Sequence, residues 1–157
     1  MIRTVFDMHE TNKEGGKKSC FYNDLAQKVD GSTVRLPCMI VTGEQDGPIM
    51  LADCCTHGDE YEGAEGISAL FNQLDPKTLK GTFVGVPAVN LEAFSIGDRV
   101  AHIDWSYQDM NRAFPGNPEG MLTSRVAHFY FHNFVKQADY VISFHGGGNG
   151  LYLEPLA

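Results

Sequence analysis

The chain has 157 residues, a length that suits one globular domain. Its formal net charge of −8 argues against nucleic-acid binding, which needs clustered lysine and arginine to neutralise phosphates. No apolar run reaches the roughly 20 residues that a membrane-spanning helix requires, and the N-terminus "MIRTVFDMHE" lacks the plan of a secretory signal. Four cysteines without CxxC spacing indicate reduced thiols. We therefore predict a cytoplasmic protein with a single domain, 1–157, that binds neither nucleic acid nor membrane.

The first third of the chain contains strand patterns separated by loops. Residues 2–8 are a strand candidate, and residues 10–19, with their lysines, have the composition of a solvated loop. A strand is predicted around residues 34–41, followed by a turn at 43–48. The segment "IMLADCC" is mostly apolar, which favours a strand covered on both faces of a sheet.

Helix and strand patterns then alternate to the end of the chain. The segment "YEGAEGISALFNQL" has apolar residues at helical spacing, and "TFVGVPAVN" is the next strand candidate. The segment "TSRVAHFYFHNFVKQA" is a second helix with Thr123 as its N-cap, and "YVISF" is a final short strand. This alternation predicts an α/β fold with a mostly parallel or mixed sheet and flanking helices.

Three polar residues, His57, Asn90 and His145, come directly after strand candidates. In open α/β sheets, ligands bind beyond the carboxyl ends of the strands, so these three side chains can converge although they are far apart in sequence. The stretch 95–118 is long and irregular, and such stretches often carry a functional site. The sequence therefore predicts a site at one edge of the sheet.

His57 and Glu60 are three residues apart where a strand turns into a helix, so both can face one metal ion. A catalytic zinc takes three protein ligands and keeps one open position, and His145 is the natural third ligand. The alternative is a hydrated acidic turn at the positive end of a helix dipole. His128 and His132 form a competing pair, but without an HExxH glutamate they are interpreted as helix-surface or packing residues.

Several motifs together resemble the succinylglutamate desuccinylase/aspartoacylase family, which is related to the zinc carboxypeptidases. They occur in the family's order and cover the chain from about residue 30 to its end. The matching pieces are "HGDEYEG" (57–63), "PAVNLEAF" (87–94), Arg99, "DMNRAFPG" (109–116) and "ADYVISFHGGG" (138–148). The segments "GDEYEG" and "HGGG" are most similar to those of the bacterial branch that includes N-acetyl-diaminobutyrate deacetylases.

The resemblance implies a zinc carboxypeptidase-like fold and a role for each matching residue. One zinc ion would be held by the His-Glu-His set named above. Arg99 would polarise the scissile carbonyl, and Asn111 and Arg112 would grip the substrate's carboxylate. An arginine fork fits a carboxylate through two parallel hydrogen bonds, and the asparagine amide adds an oriented donor. The implied activity is zinc-dependent hydrolysis of the amide of a small N-acyl amino acid by metal-activated water.

Two positions depart from the family pattern. Family members usually carry aspartate two residues before the last zinc ligand, whereas this chain has Ser143, as related carboxypeptidases do. The family's general base is a glutamate well downstream of that ligand, and Glu154 does not match its position. We therefore name no general base. We expect the chain to be the N-terminal part of a longer enzyme, lacking the C-terminal portion of the fold.

Three functional classes stay open at this point. The first is the deacylase, the second is a metallocarboxypeptidase acting on small peptides, and the third is a catalytically silent zinc-binding fragment. Because a positioned general base typically contributes 10²–10⁴-fold to rate, we expect this chain alone to bind zinc better than it turns over substrate. Apolar surface left uncovered by missing elements predicts a homo-oligomer.

Overall fold

The computed structural model describes residues 15–105 and 108–154. Within these ranges five strands form one sheet, flanked by three α-helices and two short 3₁₀ helices. The strands are β1 (Lys17–Gln27), β2 (Thr33–Thr42), β3 (Gln45–Asp53), β4 (Lys80–Val86) and β5 (Tyr140–Ser143). The helices are α1 (Glu62–Gln73), α2 (Leu91–Ile96) and α3 (Leu122–Asn133), with 3₁₀ turns at Met110–Arg112 and Val135–Gln137. None of the helices in the described ranges has the length and apolarity needed to cross a bilayer.

The sheet is mixed, with strand order β1-β2-β4-β3-β5. β2 pairs with β1 and β4 in antiparallel fashion, whereas β3 pairs with β4 and β5 in parallel. The predicted α/β fold with a mixed sheet and flanking helices is thus confirmed. Because β3, β4 and β5 run in the same direction, their carboxyl ends meet at one edge of the sheet.

Alternating side chains of the central strands form two apolar layers, one on each face of the sheet. On one face, Leu51 and Val84 pack with Tyr130 of α3 and with Phe134. On the opposite face, a second cluster includes Ile67 of α1. Its strand members are Val41, Ala52 and Phe83. Coverage of both faces explains the continuous apolar run of β3, although that strand ends at Asp53, two residues earlier than predicted.

The predicted loop at 10–19 is wrong from Lys17 onward, since β1 begins there. β1 is an edge strand that pairs only with β2 among the described strands, and its first six residues are exposed or only partly buried, so its apolar pattern is weak. The Lys18 ammonium donates hydrogen bonds to the carbonyls of Phe71 and Asn72 at 2.7 and 2.9 Å. This lysine therefore stabilises the negative end of α1 and is not part of a solvated loop. The strand candidate at 2–8 lies outside the described residues.

The prediction that Thr123 caps α3 is also wrong. The N-cap residue is Met121, whose side chain makes no capping hydrogen bond. Instead, the buried Asp104 carboxylate accepts from the backbone N–H groups of Leu122 at 2.9 Å and Thr123 at 2.8 Å. A carboxylate from a distant loop therefore satisfies the free donors and favours the positive end of the helix dipole.

Replacing Asp104 by alanine is expected to destabilise the fold by about 0.5–2 kcal/mol, the usual cost of losing a helix cap. The matched control is Thr123→Val, because the Thr123 hydroxyl is buried without a hydrogen-bond partner among the described residues. Valine keeps its shape, so this variant should unfold at the same urea concentration as the unmodified chain or a higher one. Equal losses of unfolding free energy in the two variants would assign the cap to Thr123 after all.

Candidate metal centre

The loop between β3 and α1 carries the first two candidate ligands into the interior. His57 is 2% exposed and Glu60 is 5% exposed. Between them, Gly58 lies against the backbone of α2, where an added Cβ would meet the carbonyl carbon of Ala93 at 2.1 Å. Only glycine fits at that close approach, so the "HG" pair of the motif has a direct steric cause.

The Glu60 carboxylate bridges two imidazoles from distant parts of the chain. Its Oε1 atom lies 2.8 Å from His57 Nδ1, and its Oε2 atom lies 2.8 Å from Nδ1 of His145, which follows β5. One ligand atom from each residue can be chosen so that all three lie within 4.8 Å of one another. Around a tetrahedral zinc with bonds of about 2.1 Å, donor atoms are about 3.4 Å apart. The set of two nitrogens and one carboxylate oxygen therefore fits a zinc ion.

The electrostatics around Glu60 keep its carboxylate ionised, as metal binding requires. Burial raises the pKa of this group, but the hydrogen bonds from His145 and from the Gly146 N–H at 3.1 Å, together with the charge of His57, lower it more. The net effect is a pKa below the ordinary value for glutamate. Arg99 Nη1 is a fourth polar group on this carboxylate, 3.2 Å from Oε1.

Asp109 contacts two of the candidate site residues, although the sequence analysis gave it no role. Its carboxylate lies 3.1 Å from Nε2 of His57 and accepts from Nη2 of Arg99 at 3.2 Å and from the backbone N–H of Asn111 at 2.8 Å. Burial raises the pKa of this carboxyl, but the Asn111 and His57 hydrogen bonds and the neighbouring positive charges outweigh burial and lower it. A carboxylate on the far nitrogen of a ligand histidine fixes the tautomer and orientation of the ring.

The other predicted site residues lie at different distances from this cluster. Arg99 reaches it directly, with its side chain 48% exposed. Asn111 lines a cavity of about 200 Å³ that also borders His145. Arg112 is exposed, and its guanidinium donates to the Asn111 carbonyl at 3.3 Å, a local contact outside the ligand set.

No hydrogen bond joins the Asn90 side chain to the ligand cluster within the described ranges. Its side chain accepts from the N–H of Ala93 at 3.3 Å and so caps α2. The rings of His128 and His132 lie 4.3 Å apart on α3, where His132 is exposed. Of the three residues that follow predicted strands, His57 and His145 therefore lie near a common point, and Asn90 instead caps a helix.

Residues 46–157 match the succinylglutamate desuccinylase/aspartoacylase catalytic domain. The chain belongs to the succinylglutamate desuccinylase/aspartoacylase family. The resemblance carried by the sequence motifs is thereby confirmed, and so is the fold that it implied.

Several proteins and solved structures match most of the chain. The N-alpha-acetyl-L-2,4-diaminobutyric acid deacetylase of Halomonas elongata is 33% identical over 124 residues, which are 79% of this chain and 35% of that protein. The structure of a succinylglutamate desuccinylase/aspartoacylase from Rhodobacter sphaeroides gives a TM-score of 0.78 at 32% identity, covering 85% of this chain and 41% of that one. The product-bound ectoine utilization protein EutE (DoeB) of Ruegeria pomeroyi gives 0.76 at 29% identity, covering 85% and 40%. The chain thus spans between a third and half the length of these relatives.

Proposed function

We propose that this chain carries the zinc site of a deacylase that cleaves the amide of a small N-acyl amino acid. The observation that carries the proposal is the approach of His57, Glu60 and His145 to one another within 4.8 Å. These residues follow β3 and β5, so the site lies at the edge of the sheet where α/β proteins bind ligands. Family membership supports amide hydrolysis as the reaction class.

The exposure of the three ligands supports a catalytic site over a purely structural one. Two of them are buried, but 35% of the His145 side chain is exposed, so the cluster faces solvent on one side. Structural zinc sites are closed by four protein ligands, whereas catalytic sites keep one position for water or substrate. Zinc bound there would lower the pKa of a water molecule to about 7 and polarise the substrate carbonyl.

The chain's own residues would orient the substrate and stabilise charge. Arg99 is half-exposed beside Glu60, where its guanidinium can turn from the carboxylate to the oxygen of a bound amide. Asn111 borders the cavity next to His145, and with Arg112 it would bind the substrate's carboxylate. The cavity of about 200 Å³ suits a small substrate group. An N-acetylated diamino acid is the first substrate to test, because the Halomonas relative acts on one.

The test is a comparison of substrates with and without metal. The protein, in the longest form in which it is expressed, is assayed for acetate release from N-acetyl-2,4-diaminobutyrate and for cleavage of a dipeptide with a free carboxylate. We expect the acetylated amino acid to be hydrolysed faster, activity to disappear with a zinc chelator, and added zinc to restore it. Faster cleavage of the dipeptide would favour the carboxypeptidase class, and zinc binding without hydrolysis of either would favour the silent fragment.

The homo-oligomer stays a prediction, which light scattering can check.

A further inference from the structure

The strand that delivers His145 has little apolar packing to hold it in place. All four residues of β5 are exposed, with Tyr140 at 63% and both Val141 and Ile142 at 43%. Within the described residues, β5 pairs only with β3 and lies at the edge of the sheet. Hydrophobic burial therefore contributes little to fixing the position of the ligand that follows this strand.

A buried carboxylate compensates for this weak packing. Asp53, the last residue of β3, is 2% exposed. Its Oδ1 accepts from the Ser143 hydroxyl of β5 at 2.6 Å, and its Oδ2 accepts from the Tyr130 hydroxyl of α3 at 2.6 Å. The Asp53 carbonyl also accepts from the Phe144 N–H at 2.8 Å. One residue thus joins the ends of two strands to a helix.

The residues of this hydrogen-bond network lie close in sequence to the two candidate histidine ligands. Asp53 lies four residues before His57, and Ser143 lies two residues before His145. The Asp53–Ser143 hydrogen bond therefore links the two chain segments that carry the histidines. Both oxygens of the carboxylate already accept a hydroxyl, which leaves Asp53 poorly placed to act as a ligand itself.

We propose that Asp53, Tyr130 and Ser143 form a clamp that positions His145 for metal binding. The inference rests on the proposed zinc site, and it makes Ser143 a positioning residue. Groups that hydrogen-bond directly to a metal ligand typically change metal affinity 10–100-fold when they are removed, and Ser143 acts one step further away, through the backbone of β5, so the lower end of that range applies. The Ser143 hydroxyl is the member of the clamp that belongs to the same strand as the ligand, so its removal is the most direct test.

The experiment compares Ser143→Ala with Ser143→Thr in the full chain. Zinc affinity is measured by competition with a chromophoric chelator, and the cobalt(II) absorption spectrum reports the coordination geometry. We expect Ser143→Ala to bind zinc about tenfold more weakly and to shift the cobalt spectrum. Threonine keeps the hydroxyl at an exposed strand position, so it should restore both. Ser68→Ala, which removes a hydroxyl that donates to Ala64 within α1, is the matched control and should bind zinc normally.

The metal-free melting temperature separates positioning from a merely structural role. Ser143→Ala leaves the buried Asp53 carboxylate with one hydrogen bond fewer and should lower this melting temperature by a few degrees. Zinc affinity is therefore compared well below the melting temperature, where both chains are folded and only a positioning role predicts weaker zinc binding. Tyr130→Phe acts through Asp53 without touching β5 and should weaken zinc binding in the same direction. If Ser143→Ala keeps the zinc affinity and cobalt spectrum of the unmodified chain, the clamp is overturned while the zinc site stands. If the unmodified chain binds no zinc, the proposed function fails and this inference falls with it.

Discussion

Replacing Glu60 by glutamine is expected to remove most of the zinc affinity of the chain. Glu60 is the group that both histidines contact, and each contact is 2.8 Å long. Glutamine has nearly the same shape but carries no charge, so the ion would lose the only anionic ligand of the proposed set. We expect the dissociation constant for zinc to rise by at least about a hundredfold, more than the usual effect of removing a residue that only supports a ligand.

Metal-linked stability measures this loss without an activity assay. At a zinc concentration of 1,000 times the dissociation constant, the unmodified chain should gain about 4.1 kcal/mol of unfolding free energy. A hundredfold weaker site at the same zinc concentration leaves only about 1.4 kcal/mol of that gain. Glu65→Gln removes the same charge from an exposed position on α1 and is the matched control. Equal zinc-dependent gains in both variants would exclude Glu60 as a ligand.

Replacing Arg99 by alanine should lower kcat by about 10²–10³ in a form of the protein that hydrolyses an N-acyl amino acid, by analogy with the loss of an oxyanion donor. Its guanidinium lies 3.2 Å from the Glu60 carboxylate and is half-exposed, so it can reach a carbonyl oxygen bound beside the metal. The loss should appear in kcat, since the charge that Arg99 stabilises develops only in the transition state.

Two comparisons make the Arg99 result specific. Arg99 also contacts Asp109, so zinc content is measured in the variant and kcat is determined at saturating zinc. Arg112→Ala, which removes a proposed ground-state contact to the substrate's carboxylate, should raise KM and leave kcat nearly unchanged. An unchanged kcat in Arg99→Ala at full zinc occupancy would remove this residue from the mechanism.

The sequence predicted the central strands and the candidate ligand set that the structure brings together, because their signals are local or motif-based. The apolar runs of β3 and β4 reflect coverage on both faces of the sheet. His57 and Glu60 are only three residues apart, so the turn between β3 and α1 is enough to bring their side chains together. β1 gave no comparable signal, since its first six residues are exposed or only partly buried and its lysines suggested a loop.

The residues that sequence reasoning missed act through long-range tertiary contacts. Asp104 caps a helix that begins 18 residues later, and Asp109 contacts a histidine 52 residues away. Asp53 hydrogen-bonds to a serine 90 residues away. A lone acidic residue, with no second functional residue at a fixed distance along the chain, forms no recognisable motif. The position of Asp109 inside "DMNR" could still have suggested a role near the site.

Anomalous scattering at the zinc edge, from crystals of the chain grown with zinc, is the most direct measurement of the proposed site. We predict one strong peak between His57, Glu60 and His145, with bonds of about 2.0–2.2 Å to a nitrogen of each histidine and to a carboxylate oxygen. A zinc peak at His128 and His132 with none at the proposed site would contradict the zinc site, and with it the deacylase mechanism.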